Sequence, residues 1–117
     1  MAKGLLLVFS KPVSEDREDA FNRWYDQHHL QDVIDVDGFV SGTRYRVSEQ
    51  QMRVGVESST IAELPYLATY EVDADDPKAA IRSLIVAREN FFREDKTIDF
   101  ESVFSVFFEQ ITDPVTR

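Results

Sequence analysis

The sequence has no cysteine and only two histidines, which stand side by side at His28 and His29. Disulfides, thiolate nucleophiles and cysteine-ligated zinc or iron–sulfur centres are therefore excluded. Basic residues are also short: 13 lysines and arginines face 22 acids, a net charge of −9. Such a chain repels phosphate backbones unless its bases cluster. Arg44 and Arg46 alternate on one strand, but two bases are not a nucleic-acid stripe, so no nucleic-acid partner is expected. No long apolar run is present. Leu5 to Phe9 is too short for a signal-peptide core or a membrane span. No membrane partner is expected, and the cytoplasm is the default location. Internal repeats and low-complexity segments are absent too. Asp73, Asp75 and Asp76 lack the glycine and glutamate of a calcium loop and read as a solvated cap.

What is present is a globular composition. The 117 residues are 43% hydrophobic and 30% charged, enough apolar material for one compact domain over residues 1–117. Gly4 to Ser10 is a continuous apolar stretch, which predicts a strand buried on both faces. Ser14 is an N-cap candidate, with Glu15 and Asp16 in the first turn of a helix running to about His29 or Asp32. Asp37-Gly38 signals a turn. Phe39 to Ser48 alternates as a second strand, with Phe39, Ser41, Thr43, Tyr45 and Val47 on one face and Val40, Gly42, Arg44 and Arg46 on the other. Residues 49–65 have no clean period and predict a long loop, or a hairpin extension with a short strand at Met52-Arg53-Val54.

Tyr66 to Val72 is a third strand. Asp76-Pro77 then starts a second helix, which carries Ala80, Ile81, Leu84, Ile85 and Arg88 on one stripe and ends near Phe92-Arg93. Ser102 to Ile111 is a fourth strand, dense in Val and Phe. The order β-α-β-β-α-β predicts an α+β, ferredoxin-like fold with a four-stranded antiparallel sheet and both helices on one face. The first and fourth strands are apolar on both faces, so the second face needs a cover. A twofold-related copy is the simplest one, which predicts a homodimer through the sheet faces.

The candidate site lies in FNRWYDQHHLQDV, residues 21–33. Histidine suits proton transfer near neutral pH. Adjacent helix positions diverge by about 100°, so both imidazoles cannot enter one cleft of a regular helix. Helical phase puts His28 with Trp24 and Tyr25 toward the sheet and leaves His29 at the stripe's edge. Loosening near Leu30 would change that. The bland alternative is one satisfied core histidine and one surface histidine near a helix end. Adjacent histidines chelate poorly compared with i, i+4 pairs, so no metal site is expected. Tyr25, Tyr45, Tyr66 and Tyr70 either cap the core edge or line a pocket between helices and sheet. Arg44 is placed to pin a substrate carboxylate, or else pairs with Glu71 across neighbouring strands. Phe107 on the last strand is a further candidate pocket wall.

The motif W-Y-x-x-x-H-L, then D-V, G-F and R-Y, stands here as Trp24-Tyr25, His29-Leu30, Asp32-Val33, Gly38-Phe39 and Arg44-Tyr45. Tyr70-Glu71-Val72 follows, ahead of the second helix. This resembles the EthD-like proteins of the dimeric α+β barrel superfamily. The resemblance implies a ferredoxin-like subunit, dimers formed through the sheets, and a pocket between helices and sheet. It selects His29 where helical phase selects His28.

Two functions remain open on this reading. One is a small-molecule enzyme without a bound cofactor, working by proton transfer on a small organic or aromatic compound, catabolic or polyketide-like. Isomerase, lyase, cyclase and small monooxygenase types all fall in that class. His29, His28 and Tyr45 are its candidate catalytic residues; Trp24, Tyr25, Arg44, Tyr70 and Phe107 are its candidate binding residues. The alternative is a non-catalytic accessory or ligand-binding protein of a degradation operon. A haem slot is a third option that nothing in the sequence requires.

Overall fold

A computed structural model describes residues 2–52, 63–90 and 96–117. The hairpin strand at Met52-Arg53-Val54 and the helix end near Phe92-Arg93 run into residues outside that set. The chain enters through β1 (Ala2–Ser10). A 3₁₀ turn (Glu15–Arg17), α1 (Glu18–Trp24), a π-helical turn (Tyr25–His29) and α2 (Leu30–Ile34) come after it in one helical segment. Next come β2 (Phe39–Arg46), β3 (Tyr66–Ala74), α3 (Pro77–Asn90), a second 3₁₀ turn (Phe100–Ser102) and β4 (Phe104–Glu109). The sheet order is β2-β3-β1-β4, with every neighbouring pair antiparallel. This is the ferredoxin-like βαββαβ arrangement that the element order predicts. No helix among the described residues is long and apolar enough to cross a membrane.

Period-two alternation decides which residues meet the helices. Leu6 stands opposite Tyr70 on one side and Phe107 on the other. Leu6, Tyr70, Ala68 and Val72 join Phe21, Trp24, Tyr25 and Val33 of the helical segment in one buried cluster. Leu5, Leu7 and Phe9 point to the opposite face and are only half-buried. The expectation that β1 is buried on both faces therefore holds for one face within a single chain. β2 departs from strict alternation. Phe39 pairs with Val72 but Ser41 pairs with Glu71, so Val40 is the extra residue of a β-bulge. The bulge turns Phe39 onto the helix face, where it is buried, and leaves Ser41, Thr43 and Tyr45 on the open face. Glu71 faces the open side with Ser41, so it cannot pair with Arg44 on the helix side.

The helix starts reflect local chemistry. Asp76 accepts the backbone N–H of Lys78 on its side chain at 3.0 Å and that of Ala80 on its carbonyl at 3.2 Å. Ser14 precedes the first 3₁₀ turn as expected, but its hydroxyl donates to the Asp16 carboxylate instead of accepting a backbone N–H. That bond holds the Asp16 carboxyl below its ordinary pKa.

The Asp37-Gly38 turn carries the one positive φ among the described residues, +95° at Gly38. A Cβ built there would sit 2.9 Å from Cβ of Ala80, where α3 passes over the turn. Conformation and space both demand glycine. Gly38→Ala should cost about 2 kcal/mol or more, read as a shift of the urea midpoint; an unchanged midpoint would mean that the turn does not meet α3 this closely.

Candidate functional site

α3 does not lie flat on the sheet. Between its inner face and the central strands is a cavity of about 810 Å³, within the range of small-molecule sites. Leu6 and Val8 form its floor, Ile81, Leu84 and Ile85 its α3 wall, and Val33 with the Trp24, Tyr25 and His29 rings its opposite wall. Ile98 and Phe100 close a third side, held by backbone pairing to residues 11–13, just after β1. Pro12 bridges Ile98, Val13 N–H donates to Thr97 carbonyl at 2.8 Å, and Asp99 N–H donates to Lys11 carbonyl at 3.1 Å.

The π turn decides which histidine reaches this space. The Leu30 N–H donates to the carbonyl of Tyr25, five residues back, the wide turn that defines a π-bulge. One residue is thereby added to the turn, and every residue beyond it is rotated about the helix axis. His29 stacks on Trp24, five positions earlier, with centroids 4.6 Å apart and planes at 24°. It also meets Tyr25, four positions earlier, edge-on at 4.9 Å. His29 lines the cavity and His28 does not. The rotation also brings Leu30 against the core, where a regular helix would turn it away.

Burial pushes the His29 imidazole down from 6.5 to about 4; nearby Asp32 opposes this, and Arg88 and Arg44 add to it. At neutral pH the ring is uncharged and can accept a proton. Tyr25 and Tyr70 also line the cavity, with their hydroxyls buried in its wall. They lie close to each other, and Tyr25 close to Ser10, without a hydrogen bond of good geometry. Burial pushes both phenols up, so both remain protonated donors.

The other expected site residues stand elsewhere. Arg44 lies behind Tyr25, on the far side from the cavity. Its guanidinium donates to Asp26 at 2.7 Å and to Asn22 at 2.9 Å, and sits over the rings of Tyr25, Tyr66 and Phe21 at 4.5, 5.2 and 5.5 Å. Tyr66 lies in that box, its hydroxyl accepting a bond from Asn22 at 3.3 Å. Tyr45 is 53% exposed on the open face. Phe107 packs on Gly4 at the sheet edge. Of the expected set, His29, Trp24, Tyr25 and Tyr70 come together. Sequence reasoning missed Lys96, Ile98 and Phe100 as lining residues, since no period marks that stretch, and Ser105, a small polar residue in the strand expected at Ser102 to Ile111. Ile85, expected on the inner stripe of the second helix, remains 53% exposed beside the cavity. Among the described residues, no cluster of histidine and carboxylates is arranged as a metal site requires.

This architecture matches solved structures over nearly its whole length. An ethyl tert-butyl ether D (EthD) family protein from Bacillus halodurans superposes with a TM-score of 0.58 at 13% identity, covering 95% of this chain and 100% of the other. The chain has an EthD-like fold. HapK from Hahella chejuensis superposes on the same EthD-like frame with a TM-score of 0.59 at 13% identity, covering 97% of this chain and 98% of HapK. No family model and no curated protein matches the sequence.

The unfolded chain binds a proton on His29 near pH 6.5, and the folded chain only near pH 4. Acidification through that window therefore destabilises the fold through this group. The His29 ring resonances should keep their neutral positions at pH 5, whereas a midpoint above 6 would contradict the buried stack. His29→Gln should lose on the order of 2 kcal/mol of the pH 7 to pH 4 decline in stability.

Proposed function

We propose that this protein is a small-molecule enzyme that works by proton transfer without a bound cofactor, with His29 as general base. The observation that carries the reading is the neutral His29 imidazole, stacked on Trp24 at the wall of an apolar cavity. The chemistry starts from a carbon acid, an organic carbonyl compound with an acidic C–H. The imidazole takes that proton, and the electron pair moves onto the carbonyl oxygen as an enolate. The Tyr25 and Tyr70 hydroxyls are buried donors without good partners in the cavity wall, and a small shift of either ring on ligand binding would turn one toward that developing oxyanion. Return of the proton to another carbon completes an isomerisation; loss of a β-substituent completes an elimination. The EthD family and HapK likenesses fit a small-molecule role of this kind.

The test is deuterium exchange followed by NMR on a panel of aryl ketones and aryl β-keto acids in heavy water. The wild-type chain should speed exchange at the activated carbon, and His29→Gln should lose about 10²-fold or more of that rate. Full exchange in the variant would sink the assignment. Binding without any exchange would favour an accessory ligand-binding role.

We further propose that two chains pair through their open sheet faces. Leu5, Leu7, Phe9 and Leu67 line the centre of that face, with Phe104 and Phe108 at 58% and 56% exposure beside them. An apolar patch of this kind is unusual on a monomer. Ultracentrifugation at micromolar concentration should give about twice the 13.5 kDa chain mass. Phe108→Glu should shift it to one chain mass, and a wild-type monomer would overturn the pairing.

A further inference from the structure

Among the described residues, the charge that lines the cavity runs opposite to that of the chain. Acids outnumber bases 22 to 13 in the sequence. Yet the permanently charged side chains among the described lining residues are two cations, Arg88 and Lys96. They arrive on separate elements. Arg88 comes from the last turn of α3, and Lys96 from the stretch that the Pro12–Ile98 bridge ties to β1.

Arg44, Arg82 and Arg88 differ in how their donors are used. Arg44 is committed to Asp26 and Asn22, and Arg82 reaches Asp76 at 3.9 Å. Arg88 makes no ion pair with a carboxylate among the described residues. Its guanidinium instead lies 5.9 Å from the centre of the Phe100 ring, another cavity wall. Contact with a ring leaves the planar edge of a guanidinium, with its fork of N–H donors, able to grip a carboxylate through two parallel bonds. An acidic protein repels organic anions at long range, so a cavity that admits one needs local cations.

We propose that the cavity takes an arylcarboxylate, its ring between Trp24, Leu84 and Phe100 and its carboxylate on Arg88, with Lys96 adding charge. This rests on the cavity being the small-molecule site and narrows the ligand class. It also gives the carboxylate a second effect. The Arg88 charge is one of the influences that hold protons off His29. An anion seated on Arg88 offsets that charge and makes the imidazole a better proton acceptor only when ligand is present.

Trp24 is the single tryptophan of the chain and lines the cavity, so its fluorescence reports occupancy. The probes are 4-tert-butylbenzoate and its neutral isostere 4-tert-butylbenzamide, titrated into the full chain. Benzoate should bind about tenfold or more tightly than the amide, as a charge-assisted pair allows. Arg88→Gln should remove most of that preference while weakening the amide far less, and the retained amide binding also shows that the cavity is intact. Lys96→Gln should give a smaller loss. Saturable binding of both probes with equal affinity would overturn the carboxylate preference and leave the small-molecule site standing. No saturable response to either probe would overturn both.

Discussion

One hydrogen bond reaching a residue further than usual governs the site. The Leu30 N–H bonds the Tyr25 carbonyl across a π turn, and the extra residue re-aims everything after it. Without that rotation His28 would face the sheet and His29 would sit at the margin. With it, His29 touches both Trp24 and Tyr25 and is drawn into the cavity wall. The low proton affinity of the imidazole stems from that position, since burial is its largest cause. A π turn is less favourable than α-helix and persists where surrounding packing supports it. Here the support includes the His29 and Trp24 stack on one side and Leu30 against the core on the other.

The cavity depends on a second constraint, the stand-off of α3 from the sheet. Its start is fixed where Ala80 passes over Gly38. The inner stripe of Ile81, Leu84 and Ile85 then borders open space instead of filling it. The stretch from Lys96 to Phe100 is stapled to residues 11–13, just after β1, by the Val13 and Asp99 backbone bonds, which holds the third wall.

Much of the fold was legible in the sequence because periodicity reports burial. The alternation in Tyr66 to Val72 and the Asp76-Pro77 start appear in the structure as β3 and the first turn of α3. Features that depend on a one-residue offset were not legible. The bulge at Val40 moves Phe39 across the sheet, and the π turn exchanges the two histidines, yet neither leaves a compositional mark. For the histidines, the family motif pointed to the ring that lines the cavity, where uniform helical phase pointed to its neighbour. Arg44 was read against its neighbours on the sheet, whereas its partners Asn22 and Asp26 lie on the helical segment. Long-range side-chain pairing of that kind has no signature in spacing. Lys96 and Phe100 sit in a stretch without period, so only the folded chain brings them to the cavity.

The box around Arg44 has a mechanical meaning. Its guanidinium is clasped by three aromatic faces, an amide and a carboxylate, and of these only Tyr66 lies outside the helical segment that carries His29. Rolling that segment about its own axis would pull a cation off the rings and break both polar bonds at once. The angular setting of the imidazole is thus keyed from behind, by a strand residue that never meets the cavity, much as a pin fixes a wheel to its shaft.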